Sequence, residues 1–166
     1  SINSGANLQL YASNATKAQR WTFSYDKNGY VTITNVKSGK VLDVSAGSKQ
    51  AGANVQQYAS NGSWAQKWIL VDCGDDSVKI CSAVRTGFVL DLAGGTAANS
   101  ANVQVYDDNG TAAQRFKLYT AGEVSIVQSI DSQSAVVTAS DGRVFDVPGG
   151  NMDSGAAIQL YSANGT

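Results

Sequence analysis

The sequence predicts an all-β fold of three similar units, and three observations carry that expectation. First, residues 41–68 recur at 89–116 and begin again at 144, and several residue types keep the same spacing. Tyr11, Tyr58, Tyr106 and Tyr161 lie 47, 48 and 55 residues apart, and Asp43, Asp91 and Asp146 lie 48 and 55 apart. Trp21, Trp68 and Phe116 keep 47 and 48, so the period belongs to a structural unit and not to compositional bias. Second, apolar residues alternate with a period of two inside each unit, the signature of strands with one buried face. Third, seventeen glycines against one proline, with many Asn and Ser, supply tight turns, and no stretch shows helical periodicity.

Taken in order, strands are expected at residues 30–36, 41–44, 68–71, 78–84, 89–92 and 116–119, with further strands through the tyrosine segments. In Asn54 to Tyr58, Val55 points to the core while Gln56 and Tyr58 point away from it. The matching core-facing pairs are Leu8 with Leu10, Val103 with Val105 and Ile158 with Leu160. Gln57 breaks the pattern, which predicts that its strand end reaches solvent. Asn28-Gly29, Gly74 to Ser77 and Ala121-Gly122 supply hairpin turns. The third unit carries about seven extra residues, expected as a longer loop within Ile130 to Gly142.

A chain of 166 residues suits one domain over residues 1–166 with its own core. The repeats fall at about 30–76, 77–123, and 124–166 completed by 17–29. Charge is sparse, with a net of −1, and no basic stripe points to nucleic acid. No apolar run approaches the roughly 20 residues of a membrane span, so neither nucleic acid nor membrane is an expected partner. Cys73 and Cys81 flank a turn; with residues 73 and 78 paired they would face opposite sides, so they read as two half-buried thiols.

Three four-stranded units that close on one another leave few exposed edges. The chain resembles the ricin-type β-trefoil lectins, also called family 13 carbohydrate-binding modules. The resemblance rests on Leu42-Asp-Val44, Leu90-Asp-Leu92 and Phe145-Asp-Val147, on the Val-Gln-x-Tyr strand, and on Gln19-Arg-Trp21, Gln66-Lys-Trp68 and Gln114-Arg-Phe116. It covers essentially the whole chain. It implies a β-trefoil with pseudo-threefold symmetry in which each repeat gives one aromatic to a shared core.

The register is shifted. Residues 2–16 repeat 152–166 at an offset of 150, the length of three consecutive repeats, so residues 1–16 duplicate 151–166. Residues 18–28 are expected to supply the strand that the last repeat lacks, so the N-terminal segment completes that repeat. The two arms then compete for equivalent places, and a swapped dimer or a tandem neighbour becomes an expected partner.

Histidine is absent, which removes the commonest general base. The cysteines lack metal-ligand spacing, and Asp75-Asp76 and Asp107-Asp108 sit in turn contexts. The glycine-rich pieces match no phosphate-binding fingerprint. No enzyme, catalytic residue, metal or cofactor is expected.

A pyranose site needs an aromatic face for C–H groups and fixed polar groups for hydroxyls. Each repeat offers Asp, Gln and Tyr on one side of its strands: Asp43, Gln56 and Tyr58; Asp91, Gln104 and Tyr106; Asp146, Gln159 and Tyr161. By resemblance these are sugar contacts, with further polar help near Gln19, Gln66 and Gln114. An Asp that caps its own turn, and a Gln that holds main chain, are structural readings that stay open. Where family members carry Asn before the Gln-x-Trp, this chain has Ala18, Ala65 and Ala113, which implies weak single sites or an unusual ligand. Asn61, Asn109 and Asn164 are candidates to substitute, although Asn-Gly is foremost a turn signal. Together with Asn14 they also match the glycosylation acceptor pattern. Trp64 stands where other repeats have Lys17 and Ala112, and is expected to be exposed and to make the first repeat the strongest site.

The expectation is a non-catalytic, multivalent carbohydrate-binding module of a secreted or cell-surface, bacterial protein. It would bind a galactose-, xylose- or cell-wall-type glycan. A structural spacer without sugar binding and a protein-binding trefoil are the alternatives.

Overall fold

The computed structural model describes residues 1–120, 134–138 and 144–146. Thirteen strands are described: β1 Ala6–Asn7, β2 Gln9–Tyr11, β3 Trp21–Tyr25, β4 Val31–Asn35, β5 Val41–Val44, β6 Ala53–Tyr58, β7 Trp68–Asp72, β8 Val78–Ser82, β9 Phe88–Leu92, β10 Val103–Asp107, β11 Lys117–Thr120, β12 Ser134–Thr138 and β13 Val144–Asp146. All pair antiparallel in one continuous sheet. Among the described residues helix is limited to single 3-10 turns, three of which immediately precede Arg20-Trp21, Lys67-Trp68 and Arg115-Phe116.

Four strands make each of the first two units, β4 to β7 and β8 to β11. The third joins β12 and β13 to β3 and to the strand interrupted at Leu8, β1 and β2, from the other end of the chain. The N-terminal segment therefore completes the last repeat. The tyrosine strands then close a ring. Ala53 and Asn54 lie opposite Val105 and Gln104, Ala6 and Asn7 opposite Gln57 and Gln56, and Gln9 opposite Asn102. Each strand leans on the next, so among the described residues these strands cover one another's edges.

The core follows the alternation. Leu8, Leu10, Val55, Val103 and Val105 are fully buried and share one cluster with Trp21, Trp68 and Phe116, also fully buried. Trp68 Nε1 donates to the carbonyl of Leu42 at 3.1 Å, which satisfies the indole N–H that burial would otherwise strand.

Three expectations are corrected. Gln57 does not reach solvent: it is 1 % exposed because residues 1–3 fold over it. Its Nε2 donates to the carbonyls of Ser1 and Asn3, and its Oε1 accepts from Ser38 Oγ. The longer loop expected within Ile130 to Gly142 is not continuous, because Ser134–Thr138 form β12. At the Cys73 turn the ladder pairs Asp72 with Val78. Both thiols are free and half-buried, and burial, the largest cause, pushes the Cys81 thiol above its ordinary range. The turn expected at Ala121-Gly122 lies outside the described residues.

The turn before each tyrosine strand needs a left-handed residue. Gly5 and Gly52 supply it at φ +84°, but the equivalent place in the second repeat holds Ser100 at φ +67°. A side chain there is strained. Ser100→Gly is expected to stabilise the fold by about 0.5–1 kcal/mol, seen as a raised midpoint in urea with an unchanged slope.

Candidate functional site

The hairpin of β5 and β6 builds the first site. Asp43 lies opposite Gln56, and Val41 opposite Tyr58. Residues two apart on one strand share a face, so Gln56 and Tyr58 stand together on the outer side while Val55 enters the core. Gln56 Nε2 donates to Asp43 Oδ1 at 2.8 Å, and Gln66 Nε2 donates to Asp43 Oδ2 at 3.1 Å. The Asp43 carboxylate is 4 % exposed, and burial, the largest cause, raises its pKa above the usual Asp value while the two amide donors oppose the shift.

The second site reproduces this geometry. Asp91 lies opposite Gln104 and Val89 opposite Tyr106. Gln104 Nε2 donates to Asp91 Oδ1 at 2.8 Å and Gln114 Nε2 to Asp91 Oδ2 at 3.1 Å. In both sites each carboxylate oxygen already accepts one amide N–H, which leaves one further acceptor direction per oxygen for a ligand hydroxyl. Tyr11, Tyr58 and Tyr106 are 40 %, 40 % and 41 % exposed, three faces equally open to solvent.

The third site is put together from both ends of the chain. Asp146 lies opposite Gln9 and Val144 opposite Tyr11, the same register as the other two pairs. The strand facing Asp146 is thus the N-terminal one. Gln159 and Tyr161, named for this site from the sequence, lie outside the described residues, as does Asn164. The offset of 150 was the signal that could have pointed to Gln9 and Tyr11.

Of the two readings open for the glutamines of the Gln-x-Trp motif, their geometry fits the structural one. Gln19, Gln66 and Gln114 are at most 2 % exposed and spend their amides inside the fold. Gln66 Oε1 accepts from the Asn61 N–H at 2.8 Å, and its Nε2 also donates to the Ala59 carbonyl at 2.9 Å. Gln114 does the same with Asn109 and Asp107, and Gln19 with Asn14 and Ala12. Each pins the loop after the tyrosine strand, and Gln66 and Gln114 also aim the aspartate. The Oδ1 atoms of Asn14, Asn61 and Asn109 accept the N–H two residues on, so these residues build the turn, and the Asn61 Nδ2 remains as a donor at the cavity rim.

The first site has walls that the second lacks. Its cavity, about 850 Å³, is lined by Asp43, Gln56, Tyr58, Asn61 and Trp64 together with Tyr30 and, from the next repeat, Ala83 and Val84. The second cavity is about 550 Å³. Trp64 is 56 % exposed and meets Tyr30 edge to face, with ring centroids 5.3 Å apart. Lys67 Nζ lies 5.0 Å from the Trp64 ring and is held by Asp26 at 3.1 Å. The exposed indole is therefore fixed in place before any ligand arrives. Sequence reasoning missed Tyr30 as a wall of the site: it was read only as the first residue of the strand after the Asn28-Gly29 turn. Ala18, Ala65 and Ala113 are nearly buried and offer no hydrogen bond at the family's Asn position.

The acidic pairs serve the surface. Asp75, Asp107 and Asp108 pair with Arg115, Arg85 and Lys79 at 2.9, 3.0 and 2.7 Å. The hydrogen bond from Ser77 holds the Asp75 carboxyl, and that from Lys79 the Asp108 carboxyl, below the usual Asp value.

This threefold repetition of an aspartate–glutamine–tyrosine face over an aromatic core is matched by the family described as ricin-type beta-trefoil lectin domain-like, over residues 17–106 and 74–161. The chain belongs to that family. Domains of this lectin-like family are usually non-catalytic. Comparison with curated proteins gives no match. Among solved structures, a designed 3-fold symmetric protein, ThreeFoil, matches with a TM-score of 0.68 at 34 % identity, over 70 % of this chain and 83 % of its own. The exo-beta-1,3-galactanase 1,3Gal43A from Clostridium thermocellum matches at 0.63 and 32 % identity, over 70 % of this chain and 28 % of its own length. A mosquitocidal holotoxin shares the fold at 0.64 and 15 % identity, over 90 % of this chain and 21 % of its own. The chain thus spans about a quarter of two much longer proteins. It is a lectin-like β-trefoil module of the carbohydrate-binding type.

Proposed function

We propose that this trefoil binds a glycan without catalysis, through several shallow sites that are each weak and act together on one polymer, as part of a secreted or cell-surface protein. The observation that supports this best is the Asp–Gln pair at 2.8 Å beside a half-open tyrosine, repeated at the same distances in two repeats and in the same register in the third. The carboxylate supplies a fixed acceptor, the glutamine sets its direction, and the tyrosine covers the apolar face of a pyranose ring. Alanine at the three Asn positions removes one hydroxyl partner per site, so affinity comes from linked sites, which raise it by about 10²–10⁴.

The similarity to a β-1,3-galactanase makes β-1,3-galactan the first probe, with xylan and cell-wall fragments as further arms of a glycan array. In titration calorimetry with β-1,3-galactotriose, Tyr58→Ala and Trp64→Ala are each expected to weaken the tightest site about tenfold, or roughly 1.4 kcal/mol. Unchanged binding in both variants would remove the first repeat from the ranking, and no binding to any glycan would leave a spacer, the reading that the three alanines favour.

Acid should also weaken the first site. Ligand hydroxyls need the ionised Asp43, and its pKa is raised by burial, so affinity is flat near neutrality and falls as pH drops through the range just above the ordinary Asp value. Stability moves the other way. A raised carboxyl pKa means that folding takes up a proton between the unfolded and folded values, so this group's contribution declines as pH rises through that window. Titrations over roughly pH 4 to pH 7 check both signs; an affinity that is constant down to the ordinary Asp value would rule this coupling out.

A further inference from the structure

The strand seated opposite β13 is one of two in this chain that fit there. Leu8 and Leu10, the fully buried side chains of the seated arm, have Ile158 and Leu160 as counterparts at the offset of 150. The paired Gln9 is matched by Gln159, the exposed Tyr11 by Tyr161, and the left-handed Gly5 by Gly155. Two side-chain bonds also tie the seated arm: Ser4 Oγ accepts from the Ala59 N–H at 3.1 Å, which Ser154 can repeat, and Asn7 Nδ2 donates to Asn102 Oδ1 at 2.8 Å, which Ala157 cannot. The other bonds use the arm's main chain. The Leu8 N–H donates to the Val55 carbonyl at 2.9 Å, and the Leu10 N–H to the Ala101 carbonyl at 2.8 Å. The Leu8 and Leu10 carbonyls accept from Val103 and Ser100 at 3.2 and 2.8 Å. The Gln57 amide takes the carbonyls of Ser1 and Asn3. A segment with two apolar residues at the right alternation satisfies these main-chain bonds and forgoes the side-chain bond from Asn7.

Chain closure is matched as well. Asp43 precedes its partner Gln56 by 13 residues, as Asp91 precedes Gln104. Asp146 precedes Gln159 by the same number, whereas Gln9 reaches Asp146 from the far end of the chain. A short loop closes at lower entropic cost than one spanning the domain.

We propose that this seat is a docking site whose second occupant is residues 151–166 of the same chain. With that segment seated, the third set becomes Asp146, Gln159 and Tyr161, and residues 1–16 are released with Leu8 and Leu10 uncovered. The seat's second occupant does not depend on the glycan reading; only the activity of the third set does.

The test is a redundancy cycle in the full chain, with thermal unfolding and light scattering as readouts. Leu8→Asp with Leu10→Asp blocks one occupant, Ile158→Asp with Leu160→Asp blocks the other, and the quadruple variant blocks both. Each double variant is expected to remain a monomer with one cooperative transition, lowered by no more than about 10 °C, while the quadruple variant loses the transition. Loss in either double variant alone shows a seat with a single occupant and overturns the proposal. So does a quadruple variant that still folds. A double variant that folds only as a concentration-dependent dimer overturns it too, because the occupant then comes from a second copy.

Discussion

Trp68→Ala is expected to cost about 3–5 kcal/mol of folding stability, a large part of the roughly 5–15 kcal/mol that holds a domain together. The ring is fully buried in the cluster that also holds Trp21 and Phe116. Removing it opens a cavity among strands of all three units and leaves the Leu42 carbonyl without its indole donor. Neighbouring strands are tied by the ladder and cannot collapse far into the space. Trp68→Phe should cost much less, because Phe116 fills the equivalent place in the second repeat and only the hydrogen bond and part of the volume are lost. Urea unfolding of both variants gives the comparison. A cost below about 1 kcal/mol for the alanine variant would show that the aromatic residues do not carry the core.

Gln66→Ala is expected to cost about 2–3 kcal/mol and to weaken ligand binding at the first site while the second site is untouched. Three partners lose their bond at once: the Asn61 N–H, the Ala59 carbonyl and Asp43 Oδ2. The loop after Tyr58 is then free to drift, and the carboxylate loses one of the two amides that fix it. Gln66→Glu separates positioning from volume. It keeps the shape but sets a second carboxylate against Asp43, so its stability should fall as pH rises and the pair becomes doubly charged. Thermal melts across pH, together with calorimetry on the same samples, read both effects. Equal loss at the two sites, or a Glu variant with no pH dependence, would count against a local positioning role.

Much of the first site was legible because its residues repeat. Asp43, Gln56 and Tyr58 recur at fixed spacing, and strand alternation alone puts Gln56 and Tyr58 on one face. The fold class was legible for the same reason, since three units of one period with no helical stretch leave few ways to close a sheet. Gln57 was misread because alternation describes one strand against a generic core. What buries Gln57 is residues 1–3, more than 50 positions away, and an amide survives there because backbone carbonyls receive it. Tyr30 was missed because its partner Trp64 belongs to another strand connection, and no local pattern joins the two. For the glutamines of the Gln-x-Trp motif the sequence offered both a sugar contact and a main-chain anchor; their amides are spent on loop and aspartate, which repetition alone does not distinguish from ligand contact.

The sequence by itself determined the three-unit all-β repeat, from a period of 47 and 48 residues, and the outward aspartate–glutamine–tyrosine faces, from the two-residue period of a strand; the trefoil closure and its shared aromatic core were what the family resemblance implied. Only the tertiary structure decided that the N-terminal arm lies against β13, with Gln9 and Tyr11 facing the Asp146 strand, and that Trp64 is braced by Tyr30 and Lys67. Those outcomes depend on contacts between segments far apart in the chain, and a local pattern carries no term for a partner elsewhere in the sequence.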